Sequence, residues 1–107
     1  MKARGQLDKA EPLFRDALTA SREVLGARHT DTLTSISNLG LLLQDRGQLD
    51  EAEALYREAL AARREVLGAR HPHTLTSINN LGVLLKARGK RKEAKKLLRE
   101  GASAAVR

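Results

Sequence analysis

Apolar and small residues recur along this 107-residue chain at the spacing of amphipathic helices. Between residues 49 and 67 they follow the 3.6-residue period of a single helix. From residue 31 to residue 46 they fall within about 120° of a helix wheel. Gly47, Gly68 and Gly89 interrupt this pattern. The pattern predicts five helices, over residues 7–25, 31–46, 49–67, 73–88 and 91–104.

The chain repeats itself with a period of 42 residues. Residues 5–46 align with residues 47–88 at 30 identical positions out of 42, and a third, incomplete copy starts at Gly89. Each copy contains two helices, which we name B and A in chain order. The B helices are those over 7–25, 49–67 and 91–104, and the A helices are those over 31–46 and 73–88. The repeat therefore predicts an all-α chain of helical hairpins.

Composition narrows the classes of function. The chain has no Cys, which excludes disulfide frameworks, thiolate zinc sites and cysteine nucleophiles, and suits a reducing compartment. Its only aromatic residues are Phe14 and Tyr56, so binding of nucleic acid through stacked bases is not expected. The longest apolar run, over residues 39–43, is far too short to span a membrane, and no signal peptide precedes it. We therefore expect a cytoplasmic protein.

The formal net charge of +7 belongs to one end of the chain. Residues 1–85 contain 11 Lys and Arg against 11 Asp and Glu, whereas residues 86–107 contain 9 against 2. Five cations fall on one arc of the last helix, namely Arg91, Lys92, Lys95, Lys96 and Arg99. This basic patch predicts a site for an acidic peptide, an anionic membrane surface or phosphate. The alternative is the polar outer face that a terminal repeat needs for solubility.

Small and aromatic residues at the helix crossings carry a resemblance to a known family. They are Gly40, Ala52, Tyr56 and Ala59 in one copy, and Gly82 and Ala94 in the next. They resemble the packing positions of the tetratricopeptide repeat, although the period is longer than the usual value of about 34 residues. The segment EAEALYREALAARREVLGARHPHTLTSINNLGVLL is similar to the long repeat of kinesin light chains, above all in its LG-x-x-HP and NNL motifs. No heptad segment like the one that binds the kinesin heavy chain is present, so the resemblance implies the repeat and not motor association.

The resemblance implies an all-α, right-handed superhelix of helical hairpins with about 2.5 repeats. We expect residues 1–107 to form a single array. It would contain helix B of a truncated repeat (5–26), a full repeat (30–68), and a full repeat that ends in the basic helix (72–107). The helix A that would cover the first helix B is missing. Either the chain is a fragment of a longer array, or Leu7, Phe14 and Leu18 are covered by another chain through self-association.

The resemblance also implies where a partner binds, because the A helices of such arrays line the concave face. The residues on their exposed arc are Thr34, Ser37, Asn38, Leu41 and Asp45 in the first copy, and Thr76, Asn79, Asn80, Val83 and Lys86 in the second. Asn38 and Asn80 occupy the position at which the Asn of the family bonds the backbone of an extended peptide, and Asn offers both a donor and an acceptor. Leu41 and Val83 predict an apolar side-chain pocket. The alternative is that both Asn residues are merely polar groups on a solvent face.

Side chains that could carry chemistry have simpler explanations. His71 and His73 have no acidic or Cys cluster beside them, so a loop that joins the repeats is expected rather than a metal site. No motif places a His as a base beside a Ser, and no Gly-rich phosphate loop follows a strand. Asp50 with Glu53 predicts a capping box at the start of a helix. We therefore expect no catalysis, no cofactor and no metal.

The sequence as a whole predicts a non-catalytic protein-interaction module, or scaffold, that binds an extended, acidic peptide on the concave face. Ser37 replaces the first Asn of the NNL motif and only two A helices are present, so we expect weak binding, on the order of 10 μM. Two alternatives stay open: an anion-binding helical domain that uses its basic last helix on nucleic acid or a membrane, and a purely structural segment of a longer solenoid.

Overall fold

In the computed structural model, which describes residues 4–106, the chain forms five α-helices, and no strand is found in this range. The helices are α1 (Arg4–Val24), α2 (Thr30–Asp45), α3 (Leu49–Leu67), α4 (Pro72–Ala87) and α5 (Arg91–Val106). The odd-numbered helices are the predicted B helices, and the predicted all-α class is confirmed. Each helix packs against its neighbours in sequence. Residues 1–3 and 107, which the expected array includes, lie outside the described residues.

Glycines mark the helix ends. Gly26, Gly47, Gly68 and Gly89 each lie one or two residues beyond a helix, at intervals of 21 residues, with φ between 79° and 92°. Glycine adopts this left-handed region without the steric cost that a Cβ would bring. The chain can therefore turn back after every helix, which lets consecutive helices pack side by side.

Histidines cap the start of both A helices. The Nδ1 of His29 accepts a hydrogen bond from the backbone N–H of Asp31 at 3.1 Å, and that of His71 accepts from His73 at 3.0 Å. Pro72 occupies the first turn of α4, where its missing N–H leaves no helical bond unmade. Helix capping therefore accounts for the side chains of His29 and His71, whereas His73 takes part through its backbone N–H. No group of three or more potential metal ligands is found within residues 4–106.

One continuous apolar core runs through the helix interfaces. Its largest fully buried side chains include Leu33, Ile36 and Leu43 on α2, Tyr56 on α3, and Leu84 and Leu85 on α4. Because α2 and α4 each pack against a helix on both sides, their buried arcs are wider than the stripe of a helix that packs on one side. None of the five helices, over the part of the chain described, is long and apolar enough to cross a membrane.

Each A helix lies close to the B helix that follows it, and this close approach is at a glycine of the A helix. A Cβ added at Gly40 would lie 2.7 Å from Cε1 of Tyr56, and one added at Gly82 would lie 2.5 Å from Cδ2 of Leu98. The Tyr56 hydroxyl donates a hydrogen bond to Oε1 of Gln44 at 2.9 Å, and burial raises the pKa of Tyr56 to about 12. The Tyr56 ring is therefore held in place, whereas Leu98 is half-buried and aliphatic.

This difference predicts unequal effects of Gly→Ala substitution at equivalent positions. Gly40→Ala is expected to destabilise the chain by about 1–3 kcal/mol, because the anchored Tyr56 ring must shift. Gly82→Ala is expected to cost less than Gly40→Ala, because the half-buried, aliphatic Leu98 can move aside more easily than the buried, hydrogen-bonded ring of Tyr56. The helix-propensity gain of about 1 kcal/mol of Ala over Gly applies at both positions. Urea unfolding of both variants measures the two values. Equal destabilisation by the two substitutions would contradict this account of the packing.

Candidate functional site

The exposed side of α2 and α4 holds most of the predicted binding residues. We name it the A-helix strip, and it consists of Thr34, Asn38, Leu41 and Asp45 on α2, and Thr76, Asn79, Asn80, Val83 and Lys86 on α4. All of these are exposed except Asn80, which is half-buried. Leu41 and Val83 leave 46% and 50% of their surface open to solvent, which is unusual on helices whose other apolar residues are largely buried. The strip therefore presents amides beside apolar side chains.

Ser37 does not belong to the strip, so the prediction that placed it on the exposed arc is wrong. Its side chain is 7% exposed and its Oγ has no hydrogen-bond partner within the described part of the chain. The helix wheel assumed one buried face, whereas α2 packs against both α1 and α3. Asn79, the counterpart of Ser37 on α4, is exposed. Equivalent positions of the two repeats thus have different surroundings.

Two shallow pockets adjoin the Asn residues of the strip. One of about 140 Å³ is lined by Phe14, Ala17, Ser35 and Asn38, and so lies between α1 and α2. The other, of about 130 Å³, lies between α4 and α5 and is lined by Leu75, Ile78, Asn79, Leu98, Gly101, Ala102 and Ala105. The contribution of the B helices to both pockets was not predicted. The helix-wheel analysis treated each helix alone and could not place residues of two helices side by side.

The basic patch on α5 lies on the solvent side, as predicted. Arg91, Lys92, Lys95, Lys96 and Arg99 are all exposed. The opposite face of α5 buries Ala94 and Leu97 against the core. None of the five cations forms an ion pair with a carboxylate within residues 4–106. Their positive charge is therefore left uncompensated at one end of the molecule.

A ladder of ion pairs joins the B helices, and sequence analysis did not predict it. Arg15 on α1 makes two hydrogen bonds to Glu51 on α3, at 2.8 and 2.9 Å. The equivalent pairs are Arg22 with Glu58, Arg57 with Glu93, and Arg64 with Glu100. The two residues of each pair are 36 residues apart, six fewer than the repeat period of 42. This recurrent Arg–Glu separation was visible in the sequence and could have predicted the ladder. Exposed pairs of this kind contribute up to about 1 kcal/mol each and help to fix the helix register.

A second set of ion pairs replaces the predicted capping box. Gln48, not Asp50, is the N-cap of α3, and it makes no side-chain capping bond. Asp50 and Glu53 instead accept hydrogen bonds from Arg88 at the end of α4. Asp8 and Glu11 pair with Arg46 at the end of α2 in the same way. The acidic pairs are tertiary contacts because each faces the helix that follows it in the chain.

Glu53 is the most heavily contacted of these carboxylates. Its side chain is largely buried, and it accepts hydrogen bonds from Arg57 at 3.0 Å, Arg88 at 2.8 Å and Lys90 at 3.0 Å. Burial alone would raise its pKa, but the hydrogen bonds and the positive charges of Lys90 and Arg57 together outweigh burial and hold the pKa below its usual value of 4.5. The ionised form of Glu53 is therefore part of the folded structure.

Arg63 is a buried cation between α3 and α4. Its Nη1 donates to Oγ of Ser77 at 2.8 Å and to the backbone carbonyl of His73 at 3.3 Å. Burial lowers the pKa of Arg63. Both acceptors are neutral and lie on the helix that packs against it, so the contacts support a structural role in joining the two repeats.

The family comparison agrees with this architecture. A family model described as tetratricopeptide repeat matches residues 2–65 and 34–105. The chain therefore belongs to the tetratricopeptide repeat family, whose repeats mediate protein–protein interaction and are typically non-catalytic scaffolds. No curated protein matches the sequence significantly.

The repeats are similar to those of solved kinesin light chain-like proteins. A Podosopora anserina protein described as a kinesin light chain with nearly identical TPR-like repeats is 27% identical, with a TM-score of 0.88 over 96% of this chain and 49% of that one. A variant of that protein is 28% identical, with a TM-score of 0.81 over 94% and 47%. BtubC (BKLC) from P. vanneervenii is 24% identical and shares the fold, with a TM-score of 0.88 over 95% and 40%. The chain thus spans less than half the length of these structures.

The contacts of Glu53 predict a pH-dependent contribution to stability. A carboxylate whose pKa is lowered on folding stabilises the native state above its unfolded pKa, and this contribution is lost as the pH falls through the folded pKa. Glu53→Gln is therefore expected to lower the free energy of unfolding at pH 7 by about 1.5–3 kcal/mol. The difference from wild type should shrink below about pH 4. Urea unfolding at pH 7 and pH 3 measures it, with Glu23→Gln on exposed α1 surface as the control; the same difference at both pH values would contradict the prediction.

Proposed function

We propose that the chain is a non-catalytic protein-interaction module that binds an extended, acidic peptide along the A-helix strip. The observation that carries this proposal is the pairing of amides with exposed apolar residues on α2 and α4. Asn38 lies one helical turn from Leu41, and Asn80 lies one turn from Val83. An extended peptide offers backbone hydrogen-bonding groups, which the Asn amides can bind. It also offers side chains, which the apolar residues can contact.

Asn is well suited to hold a peptide backbone. Its amide group donates and accepts at once, so it can pair with a peptide unit in either chain direction without the cost of desolvating a charge. Asn38 also lines the pocket with Phe14 and Ala17, where an apolar side chain of the peptide would find cover. Asn residues at equivalent positions of two repeats would then bind at regular intervals along the peptide.

Charge supports an acidic peptide. Lys86 belongs to the strip, and the five cations of the basic patch lie on α5, which packs against α4. Several carboxylates on α1 and α3 are already used by arginines of the chain itself, as in the pairs Arg15–Glu51 and Arg22–Glu58. The uncompensated positive charge lies toward the α4–α5 end, where it would attract an acidic partner.

Removal of the two amides tests the proposal. We expect Asn38→Ala with Asn80→Ala to weaken binding of a labelled acidic, aromatic-containing peptide about tenfold or more at 150 mM salt, because each amide loses hydrogen bonds to the peptide. The melting temperature should change little. The matched control is Gln6→Ala with Gln48→Ala, which removes two exposed amides from equivalent positions outside the strip. Unchanged affinity of the Asn38/Asn80 variant would overturn the proposal.

Salt dependence separates this function from plain anion binding through α5. A phosphate-backbone binder with five or six contacts loses roughly 10³-fold in affinity between 50 and 200 mM salt. Binding by amides and apolar pockets should lose less than about tenfold over the same range. A loss near 10³-fold, together with weaker binding and a smaller salt dependence of Lys95→Glu, would favour the anion-binding alternative on nucleic acid or a membrane.

We also propose that α1 promotes self-association. The prediction that Leu7 and Leu18 lack cover is wrong, because both are buried in the core. Leu13 and Phe14 are 67% and 38% exposed, whereas their repeat equivalents Leu55 and Tyr56 are 9% and 1% exposed. The equivalent face of α3 is covered by α2, so the face of α1 has the residue types of a packed surface without an equivalent cover in the described part of this chain. A second copy of the chain, with its own α1, would bury these side chains.

Light scattering over a hundredfold concentration range tests this self-association. The apparent mass is expected to rise above the 11.7 kDa of one chain as concentration increases. Leu13→Lys should keep the chain monomeric, because a charge would have to be buried in the contact. Val66→Lys, at another exposed apolar residue on α3, is the control and should associate like wild type. A wild-type chain that stays monomeric throughout would disprove the proposal.

A further inference from the structure

In each of the first two B helices, a pair of acidic residues binds the Arg that follows the next A helix. Asp8 and Glu11 on α1 bind Arg46, which follows α2, and Asp50 and Glu53 on α3 bind Arg88, which follows α4. The two arrangements are 42 residues apart and use the same positions of the repeat. This contact therefore belongs to the way an A helix docks onto the B helix before it.

The third B helix carries the opposite charge at these positions. Lys92 and Lys95 on α5 stand where α3 has Asp50 and Glu53. Both lysines are exposed, and neither pairs with a carboxylate in the described part of the chain. Lys95 also precedes Arg99 by four residues, so like charges replace the Glu53–Arg57 ion pair of α3.

An open pocket with apolar lining lies beside α5. The pocket lined by Leu75, Ile78 and Leu98 opens between α4 and α5 beside Ala105. The equivalent of Ala105 on α3 is Arg63, which contacts Ser77 on α4. The same position of the repeat therefore faces a docked A helix in one case and an open pocket in the other.

We propose that the α4–α5 end of the molecule binds an amphipathic helix of another protein whose last turn carries acidic side chains. The apolar face of that helix would enter the pocket between α4 and α5, as α4 packs on α3. Its acidic end would meet Lys92 and Lys95, as Arg88 meets Asp50 and Glu53. The partial negative charge at the carboxyl end of any helix adds to this attraction.

The charge reversal also disfavours the nearest competing occupant. The A helices of a second copy are followed by Arg46 and Arg88, which would face Lys92 and Lys95 as like charges. A nucleic acid or an anionic membrane would use the cations but would leave the apolar pocket empty. An acidic helix would occupy the pocket and also meet the cations. Asn79 of the A-helix strip lines the same pocket, whereas Asn38 on α2 does not, so the two proposed sites are adjacent at α4 and separate at α2.

Two peptide probes made from this chain test the proposal. Both contain residues 70–90 with blocked ends and a fluorescent label; one has the natural sequence, and the other carries Arg88→Glu and Lys90→Glu. The full chain is titrated into each probe at 150 mM salt, and binding is followed by fluorescence anisotropy. The acidic probe is expected to bind wild type at least tenfold more tightly than the natural probe. Failure of both probes to bind, or equal binding of the two, would overturn the proposal.

Charge variants locate the contact. Lys95→Glu is expected to reduce the preference for the acidic probe to threefold or less, and Lys92→Asp with Lys95→Glu, which restores the acidic pair of α3, should reverse it. Lys9→Glu makes the same change of charge on exposed α1 surface and should keep the tenfold preference. An equal effect of Lys9→Glu and Lys95→Glu would show nonspecific charge attraction and overturn the proposal. Circular dichroism of each variant confirms that the helices are intact.

Two further measurements separate this site from other functions. The Asn38/Asn80 double variant should bind the acidic probe as wild type does, so that failure of the peptide proposal leaves this one standing. A 20-base-pair DNA duplex and phosphatidylserine vesicles should not displace the acidic probe at 150 mM salt. Displacement by either would assign the cations of α5 to phosphate or lipid and overturn the helix-docking proposal.

Discussion

The close approach of α2 to α3 at Gly40 is the contact on which the arrangement of the helices depends. The ring of Tyr56 lies where a side chain on residue 40 would stand, and its hydroxyl is tied to Gln44. The A helix is therefore held flat against its B partner, and its other side packs on the preceding B helix. What remains exposed is a narrow strip of each A helix. Almost every other apolar residue of these helices is buried in a helix contact. The exposed Leu41 and Val83 therefore stand out as apolar surface that a partner could cover.

Electrostatic contacts repeat with the same period as the packing. Arginines on one B helix bind glutamates on the next, and arginines after the A helices bind acidic pairs at the start of the B helices. Individually, exposed ion pairs add little to the free energy of folding. Together they favour one register of the helices and oppose others, because a shifted helix would bring like charges together. On α5, Lys92 and Lys95 occupy the positions of this acidic pair, so a helix that packs there needs acidic rather than basic side chains at its end.

Helix positions were largely predictable, whereas contacts between helices were not. The 3.6-residue period and the glycines depend on neighbours in sequence, and the predicted helix ends agree with the structure to within about three residues. Ser37 was assigned to the exposed side because a helix wheel assumes one buried face. The acidic pair Asp50 and Glu53 was assigned to a local capping box because its partner, Arg88, lies 35 residues or more away.

The sequence by itself determined the helices, the repeat, the family and the basic end of the chain, since all of these follow from local spacing and composition. The tertiary structure alone decided which members of equivalent positions are exposed. Ser37 is buried and Asn79 is open, although the repeat places them alike. The physical reason is that exposure depends on side chains of other helices, which lie far away in the sequence and which the spacing within one helix does not contain.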